Sequence, residues 1–439
     1  MKIIGIIAEY NPFHNGHFYQ IQKAKSDLDA DFLVVALSGD FVQRGTPAVM
    51  DKYARTEMAL ACGADLVLEL PTLWATASAE YFSAAGIALF DKLDCDTTVC
   101  FGAECDKPGL LSYLAQVLLL EPDAYRRPLL AYLKQGQSFP TARMNALSDY
   151  LESDDNFAYS AAEASAALSS PNNILAIEYL KEIQFRESTI HAYPILRTGS
   201  GYHDSTMHSI ASATAIRQYL APYTGHFCPD SDLTACADDN GTLLSDALPA
   251  NAFPVLAGYI KNSPLLHTDA FSSVLYYRLR SLAPTGYDSF ADCGVELSNR
   301  IQNTLPHFTG TTGFTQKLYS KELTYTRISR VLSHILLNIY QKDYVSGRAL
   351  DYIPYLRVLG FRKTATPLLS HLKTSCPLPL LTKMADAGQL MQEYYPADSF
   401  AHRMLDLDIF AADLYSSMQS ILSGQPAKNE YNHGLVLME

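Results

Sequence analysis

Through the first half of the chain, apolar runs of strand length alternate with helical periodicity. Ile3 to Ala8 is nearly continuous in apolar residues, as expected of a parallel strand covered on both faces. A polar loop holding Asn11 and Pro12 follows, and a helical pattern opens at His14-Asn15-Gly16-His17. Asp31 to Leu37 predicts a second buried strand ending in the polar, glycine-bearing loop Ser38 to Gly45. Asp51 is a good cap for a helix reaching Cys62, with Gly63 as its stop. Ala64 to Leu70 predicts the third strand, Ser78 to Phe90 a helix, and Thr97 to Phe101 a fourth strand ending at Gly102. Residues 107 to 151 read as helices. Ser170 caps a further helix with Pro171 at its first position, and Thr189 to Ile195 is the fifth strand. The alternation predicts an α/β fold built on a doubly wound parallel sheet.

Between Thr224 and Ala252 the pattern lapses into an acidic, turn-rich stretch, which places a junction near residue 245. Beyond it the periodicity is helical to about Leu422, with few strand-like runs. The expected organisation is a sheet domain over 1–245, a mostly helical domain over 246–425 and a weakly packed tail over 426–439.

A length of 439 residues allows a sizeable core in each of two domains. No apolar run approaches a membrane span, and neither a signal peptide nor a zinc-type cysteine spacing is evident among the eight cysteines. Free thiols and a cytoplasmic location follow. A net charge of −13 argues against indiscriminate polyanion binding but not against a local basic patch. Such a patch exists. From Lys317 to Lys363, nine basic residues (Lys317, Lys321, Arg327, Arg330, Lys342, Arg348, Arg357, Arg362 and Lys363) face only Glu322, Asp343 and Asp351, a local net of +6. Tyr319, Tyr325, Tyr340 and Tyr344 are interleaved, as an RNA partner requires; equally, the arginines fit a solvated helix face and the tyrosines a core.

The candidate chemistry sits at the strand ends. A strand feeding a glycine-bearing turn into a helix start is a site for phosphate, because free N–H groups and the positive dipole end point at the ligand. His14 and His17 share one face of that helix start and can donate to a triphosphate as its charge shifts. Arg44 suits a phosphate, and Asp40 a hydroxyl or a metal; each reads equally as a loop charge, as Arg55 reads as a solvated helix-face charge. Gly102 lets a base or ribose approach the backbone, or is a plain turn glycine. Asn172 lies in a helix's first turn, and Arg197 with Gly199 to Asp204 lies after the fifth strand. Ser212-Ala213-Thr214-Ala215-Ile216-Arg217 combines a capped helix start with a charge one turn later.

His-x-Gly-His after an N-terminal strand resembles the signature of the nucleotidylyltransferase and class I tRNA-synthetase superfamily, and Ser-x-Thr-x-Ile-Arg resembles its second motif. The likeness extends further, through Glu9 to His17, Ser38 to Gly45, Gly63 to Pro71, Pro171 to Leu175, Gly201 to Asp204, Thr324 to Arg330 and Arg357 to Phe361. Together these resemble the bacterial tRNA(Met) cytidine acetate ligase family over nearly the full length, most weakly at 225–255 and after 424.

The resemblance implies a Rossmann-like nucleotidylyltransferase sheet followed by a helical tRNA-binding domain. It implies formation of acetyl-adenylate from ATP and acetate, then attack by N4 of the wobble cytidine of elongator tRNA(Met), giving N4-acetylcytidine, AMP and diphosphate. Carried over by position, the ATP loop comprises Ile7, Ala8, Glu9, Tyr10, Asn11, Pro12, Phe13, His14, Asn15, Gly16, His17, Phe18, Tyr19 and Gln20, with further contacts at Gly102, Asn172, Arg197 and Thr214. His14, His17 and Arg217 would be catalytic; Asp40 and Arg44 would meet acetate or the target base. The tRNA contacts would be Lys317, Lys321, Arg327, Arg330 and Arg357. Magnesium would accompany the nucleotide, without a dedicated carboxylate cage. Position 213 is Ala where the wider superfamily often has a second serine, which removes one hydroxyl and leaves the helix N-terminus. Two other readings remain open: an adenylyltransferase acting on a small phosphorylated metabolite, and a non-catalytic RNA-binding protein on the same sheet. DNA and membranes are not expected partners.

Overall fold

In the computed structural model, residues 1–153, 157–197, 212–231, 233 and 243–439 are described. The Gly199 to Asp204 loop lies outside them. The strands in chain order are β1 (Lys2–Ala8), β2 (Phe32–Ser38), the short β3 (Phe41–Val42) and β4 (Thr46–Pro47), β5 (Leu66–Leu70), β6 (Asp96–Ala103), β7 (His191–Leu196), β8 (Leu356–Arg362), β9 (Leu380–Leu381) and β10 (Val436–Met438). The main sheet runs β10-β8-β5-β2-β1-β6-β7, with β9 also pairing with β8; β3 and β4 form a separate hairpin. From β5 to β7 all pairs are parallel. The chain moves outward from β1 through β2 to β5, then restarts on the other side with β6 and β7. The order therefore reverses between β1 and β6, and a crevice opens there at the strands' carboxyl ends.

The helices that matter for that crevice follow the strands. They are α1 (Asn15–Asp27), α2 (Lys52–Ala61), α3 (Thr72–Ala75), α4 (Ala79–Asp91), the run α5 (Pro108–Leu120), α6 (Asp123–Lys134), α7 (Phe139–Glu152) and α8 (Ala161–Ser169), then α9 (Pro171–Phe185) and α10 (Ala213–Tyr219). Successive strand residues point to opposite faces. Ile4, Val35 and Val67 enter a core with Ile21 of α1, Met58 of α2 and Ile216 of α10. Ile3, Val34 and Leu66 enter a larger core that includes Ile87 of α4, Ile177 of α9, Ile328 and Tyr415. Residues from both sides of position 245 share that second core.

The stretch after 245 is mostly helical, and one of its few strands, β8, pairs antiparallel with β5 and extends the N-terminal sheet. One expectation is corrected: the tail is tied to the body, since β10 pairs in parallel with β8 and Glu430 is buried. The reason is electrostatic. Lys52 at the start of α2 contacts Glu69 of β5 at 2.9 Å and Glu430 at 2.6 Å. Arg357 of β8 contacts Glu69 at 2.8 Å and also pairs with Glu430. Tyr53 donates to Glu430 at 2.9 Å. Two cations and two anions thus close a buried, neutral cluster that joins α2, β5, β8 and the tail. Arg357 is accordingly not an RNA contact, being 2% exposed.

Arg55, one turn further along α2, is wholly buried rather than solvated. It donates to the backbone carbonyls of Met50 at 3.0 Å, Glu9 at 2.7 Å and Ser38 at 3.0 Å, and also to Gly39. It therefore holds the ends of β1 and β2 together beneath the crevice.

Burial alone would raise the Glu430 pKa, but Lys52 and Arg357 outweigh it and hold the carboxyl down at about 2. A depressed carboxyl stabilises the fold fully above its unfolded pKa, and that contribution is lost as pH falls through the folded value. Glu430→Gln is therefore expected to destabilise the protein near neutrality by roughly 3 kcal/mol or more, because it leaves two buried cations sharing the single carboxylate of Glu69. In urea titrations across pH, the gap from the unsubstituted protein should close between about pH 4.5 and about pH 2. A gap independent of pH would show that charge is not what Glu430 contributes.

Candidate nucleotide site

The crevice at the β1/β6 reversal is a cleft of about 440 Å³. Its floor comes from the β1–α1 segment: Ile7, Ala8, Glu9, Tyr10, Asn11, His14, His17 and Gln20. His14 is the N-cap of α1, and its Nδ1 accepts the Gly16 N–H at 3.0 Å. The His17 Nδ1 accepts the His14 N–H at 3.3 Å, which completes a reciprocal capping box. A ring nitrogen that accepts from a backbone N–H carries no proton, so each neutral ring bears its proton on Nε2. The two rings stack with centroids 3.7 Å apart, and Tyr10 packs 4.8 Å from His17. The His14 pKa is pushed down to about 3 by burial, then by Arg197 and Arg217. That of His17 falls well below its usual value through burial, His14 and Arg197. Two uncharged, oriented Nε2–H donors therefore stand at the mouth of α1.

The opposite wall is the start of α10. Ser212 caps it by accepting the Ala215 N–H at 3.1 Å. Arg217 donates to the Asn11 carbonyl at 2.7 Å and to the Thr214 hydroxyl at 3.1 Å, which ties the two phosphate-type motifs to each other. A third wall is the β3–β4 hairpin, which carries Arg44 into the cleft. Gly45 has φ +69°, and a Cβ there would lie 2.3 Å from the backbone nitrogen of Arg330. Glycine thus lets the hairpin lie directly on the helix Tyr325–Leu337, where the Ser329 hydroxyl donates to the Gly45 carbonyl at 2.9 Å. That contact brings Thr326 and Arg330 to the cleft as well.

On the β6 side, Gly102, Asn172 and Arg197 line the same cleft, with Ala79, Phe82, Phe101, Ile174, Leu175 and Tyr179 as an apolar wall. A Cβ on Gly102 would meet Arg197 Cγ at 3.2 Å, so this glycine makes room for the arginine. Burial lowers the pKa of Arg44, Arg197 and Arg217. Holding guanidinium groups out of water costs free energy that a polyanion would offset. Four arginines, two helix N-termini and an apolar wall describe a site for a nucleotide polyphosphate.

Other expected residues lie elsewhere. Phe13 is fully buried in the core, Phe18 packs against it, and Tyr19 is exposed. Pro12, Asn15 and Gly16 do not line the cleft; the Asn15 amide donates to the Asp246 carbonyl at 2.7 Å, and Gly16 acts through its N–H on His14. Asp40 is buried away from the cleft, where it accepts the Lys52 N–H at 2.7 Å. Burial pushes its pKa up to about 7 against the pull of Lys52 and Arg55. Lys317, Lys321 and Arg327 are exposed outside the cleft, whereas Arg330 lies in it and pairs with Asp292 at 3.3 Å. Of the interleaved tyrosines, Tyr319 and Tyr325 are exposed, Tyr340 is half-buried and Tyr344 is core. Sequence reading did not single out Gln43, Thr326 or the apolar wall, although Gln43, Thr326, Ile174 and Leu175 lie inside the Ser38 to Gly45, Thr324 to Arg330 and Pro171 to Leu175 motifs. Among the described residues no group of three or more His, Cys, Asp or Glu side chains is arranged to hold a metal ion.

The family model described as HIGH Nucleotidyl Transferase matches residues 1–430. The tRNA(Met) cytidine acetate ligase of Halothermothrix orenii is 35% identical over 421 residues, covering 95% of this chain and 94% of that one. The chain belongs to this ligase family. The Acetivibrio thermocellus member is 34% identical over 441 residues, the whole of both chains. The fold agrees. The apo form I crystal structure of Thermotoga maritima TmcAL superposes with a TM-score of 0.89 at 27% identity, covering both chains fully. The form II structure of that protein, bound with alpha-thio ATP, gives 0.87 at the same identity and coverage.

The histidine geometry makes an expectation that needs no substrate. Long-range ¹H–¹⁵N spectra at about pH 6 should show both rings neutral with the proton on Nε2. A ring protonated on Nδ1 at that pH would contradict the capping hydrogen bonds.

Proposed function

We propose that this chain is an ATP-dependent ligase that acetylates N4 of the wobble cytidine of elongator tRNA(Met) in the cytoplasm. An acetate oxygen attacks the α-phosphorus of ATP, diphosphate leaves, and acetyl-adenylate remains. The cytidine N4 lone pair then attacks the acetyl carbonyl carbon. The carbon–oxygen bond to AMP breaks, and the nitrogen loses a proton. Acetate itself is a poor acyl donor, so adenylation supplies the leaving group, and the protein contributes positioning and charge stabilisation. The His14 and His17 Nε2–H groups donate to phosphate oxygens as negative charge gathers on the departing diphosphate. Thr214, Arg217 and Arg44 hold the phosphates from the other walls. A magnesium ion entering with the triphosphate would be held chiefly by phosphate oxygens and water.

The observation that carries this reading is the shared use of the helix Tyr325–Leu337. Its inner face gives Thr326 and Arg330 to the nucleotide cleft, while Lys321 and Arg327 beside them are exposed together with Tyr319 and Tyr325. A basic, aromatic surface that runs into the cleft suits an RNA acceptor whose one reactive base must reach an adenylate. A small phosphorylated acceptor would need none of it.

Exchange of labelled diphosphate into ATP without tRNA should depend on acetate, and His17→Ala should slow it about a hundredfold or more, as loss of an oriented transition-state donor does. Exchange driven by a phosphorylated metabolite instead of acetate would overturn the proposal. Lys321→Ala with Arg327→Ala should leave exchange intact, weaken tRNA binding and flatten its salt dependence by up to about two in the log–log slope. Unchanged tRNA affinity would remove this surface from the interface.

A further inference from the structure

Glu104 follows β6 at the edge of the cleft, and three residues of the α9 start converge on it. The Asn173 side-chain oxygen accepts the backbone N–H groups of Glu104 at 2.8 Å and Cys105 at 3.1 Å, which pins this loop to α9. The Ser170 hydroxyl donates to Glu104 Oε2 instead of capping its own helix. The Asn172 amide nitrogen donates to Glu104 Oε1 at 2.5 Å. The same oxygen lies 4.0 Å from Arg197 Nε. Both Asn172 and Arg197 line the cleft beside the apolar wall.

A carboxylate accepts hydrogen bonds and cannot donate them. Glu104 can therefore bind only the NH₂ end of Asn172, and this decides which end of a chemically ambiguous amide is left over. The remaining atom, Asn172 Oδ1, receives no hydrogen bond from the described residues. We propose that Glu104 is a positioning residue that fixes the Asn172 amide with its oxygen toward the ligand, so that the site selects nucleosides bearing a hydrogen-bond donor there. This rests on the nucleotide-site reading and adds to it a basis for selectivity. The donor is either the exocyclic amino group of adenine or a ribose hydroxyl; both present a hydrogen to an acceptor oxygen. Without Glu104 the amide can turn, and its NH₂ would repel the same donor. The carboxylate also gives Arg197 an anionic neighbour at 4.0 Å.

The test is equilibrium binding of ATP, inosine triphosphate, 2′-deoxy-ATP and 3′-deoxy-ATP to the full chain, measured by calorimetry without acetate or tRNA. Inosine triphosphate lacks the amino group, and each deoxy analogue lacks one hydroxyl. One analogue is expected to bind about tenfold more weakly than ATP, the worth of one good hydrogen bond, and that analogue identifies the donor. Glu104→Leu, which removes the accepting oxygens, should weaken ATP by about the same factor and leave that analogue unchanged, so that the preference disappears, whereas Glu104→Gln, which keeps one accepting oxygen, should retain it. Asn172→Ala should abolish the preference too, and Glu104→Leu added to it should have no further effect on the ratio. A purely structural Glu104 would instead weaken all four nucleotides equally, and that result overturns the inference while sparing the nucleotide site. Equal affinity of the unsubstituted protein for all four also overturns it. No nucleotide binding at all would overturn the site reading and this inference together.

Discussion

Four buried charges hold this molecule in its working shape. Lys52, Glu69, Arg357 and Glu430 come from a helix start, a central strand, an antiparallel strand and the tail, and they neutralise one another out of reach of water. A buried ion of this kind is tolerable only with its partners in place, so the four segments are held in one arrangement. The crevice inherits that arrangement through α2. Arg55 sits one turn beyond Lys52 and collects the carbonyls that end β1 and β2, so the floor of the nucleotide cleft rests on a helix anchored by the cluster.

How legible each part was depended on how local its physics is. The central parallel strands β1, β2 and β5 announced themselves as apolar runs, because burial on both faces leaves little room for alternation. The histidine motif was equally plain: its cap and its two tautomers are set within four residues of sequence. Arg357, Glu430, Arg55 and Asp40 were opaque for the opposite reason. Nothing near them in the sequence says that a charge will be buried; the partners that make burial possible lie far along the chain or on another element. β8 was hidden in the same way. Arg357 and Arg362 bracket a short apolar stretch among helical patterns, and its pairing partner β5 lies nearly three hundred residues earlier. The basic run shows the mixed case. Lys321 and Arg327 are exposed as a charge run usually is, Arg330 turns into the cleft, and Arg357 is core.

The cleft separates two electrostatic jobs between residue types. Arginines from three different walls concentrate positive charge in the cleft. The neutral histidines add no charge and instead supply direction, because each Nε2–H is set by a backbone hydrogen bond on the far side of its ring. Donors fixed in this way gain strength as charge accumulates on the accepting oxygen and need no reorganisation at that moment.

The hydrogen bond from Tyr53 to Glu430 spans 377 residues of sequence. During synthesis, α2 and the first strands leave the ribosome long before the residues that complete their charge cluster exist. A nascent N-terminal half would hold Lys52 and Glu69 as a lone pair, while the Arg55 hydrogen bonds beneath the cleft need only residues already made. The order of translation thus leaves the edge of β5 that β8 covers, and the two charges that Arg357 and Glu430 complete, to be closed last.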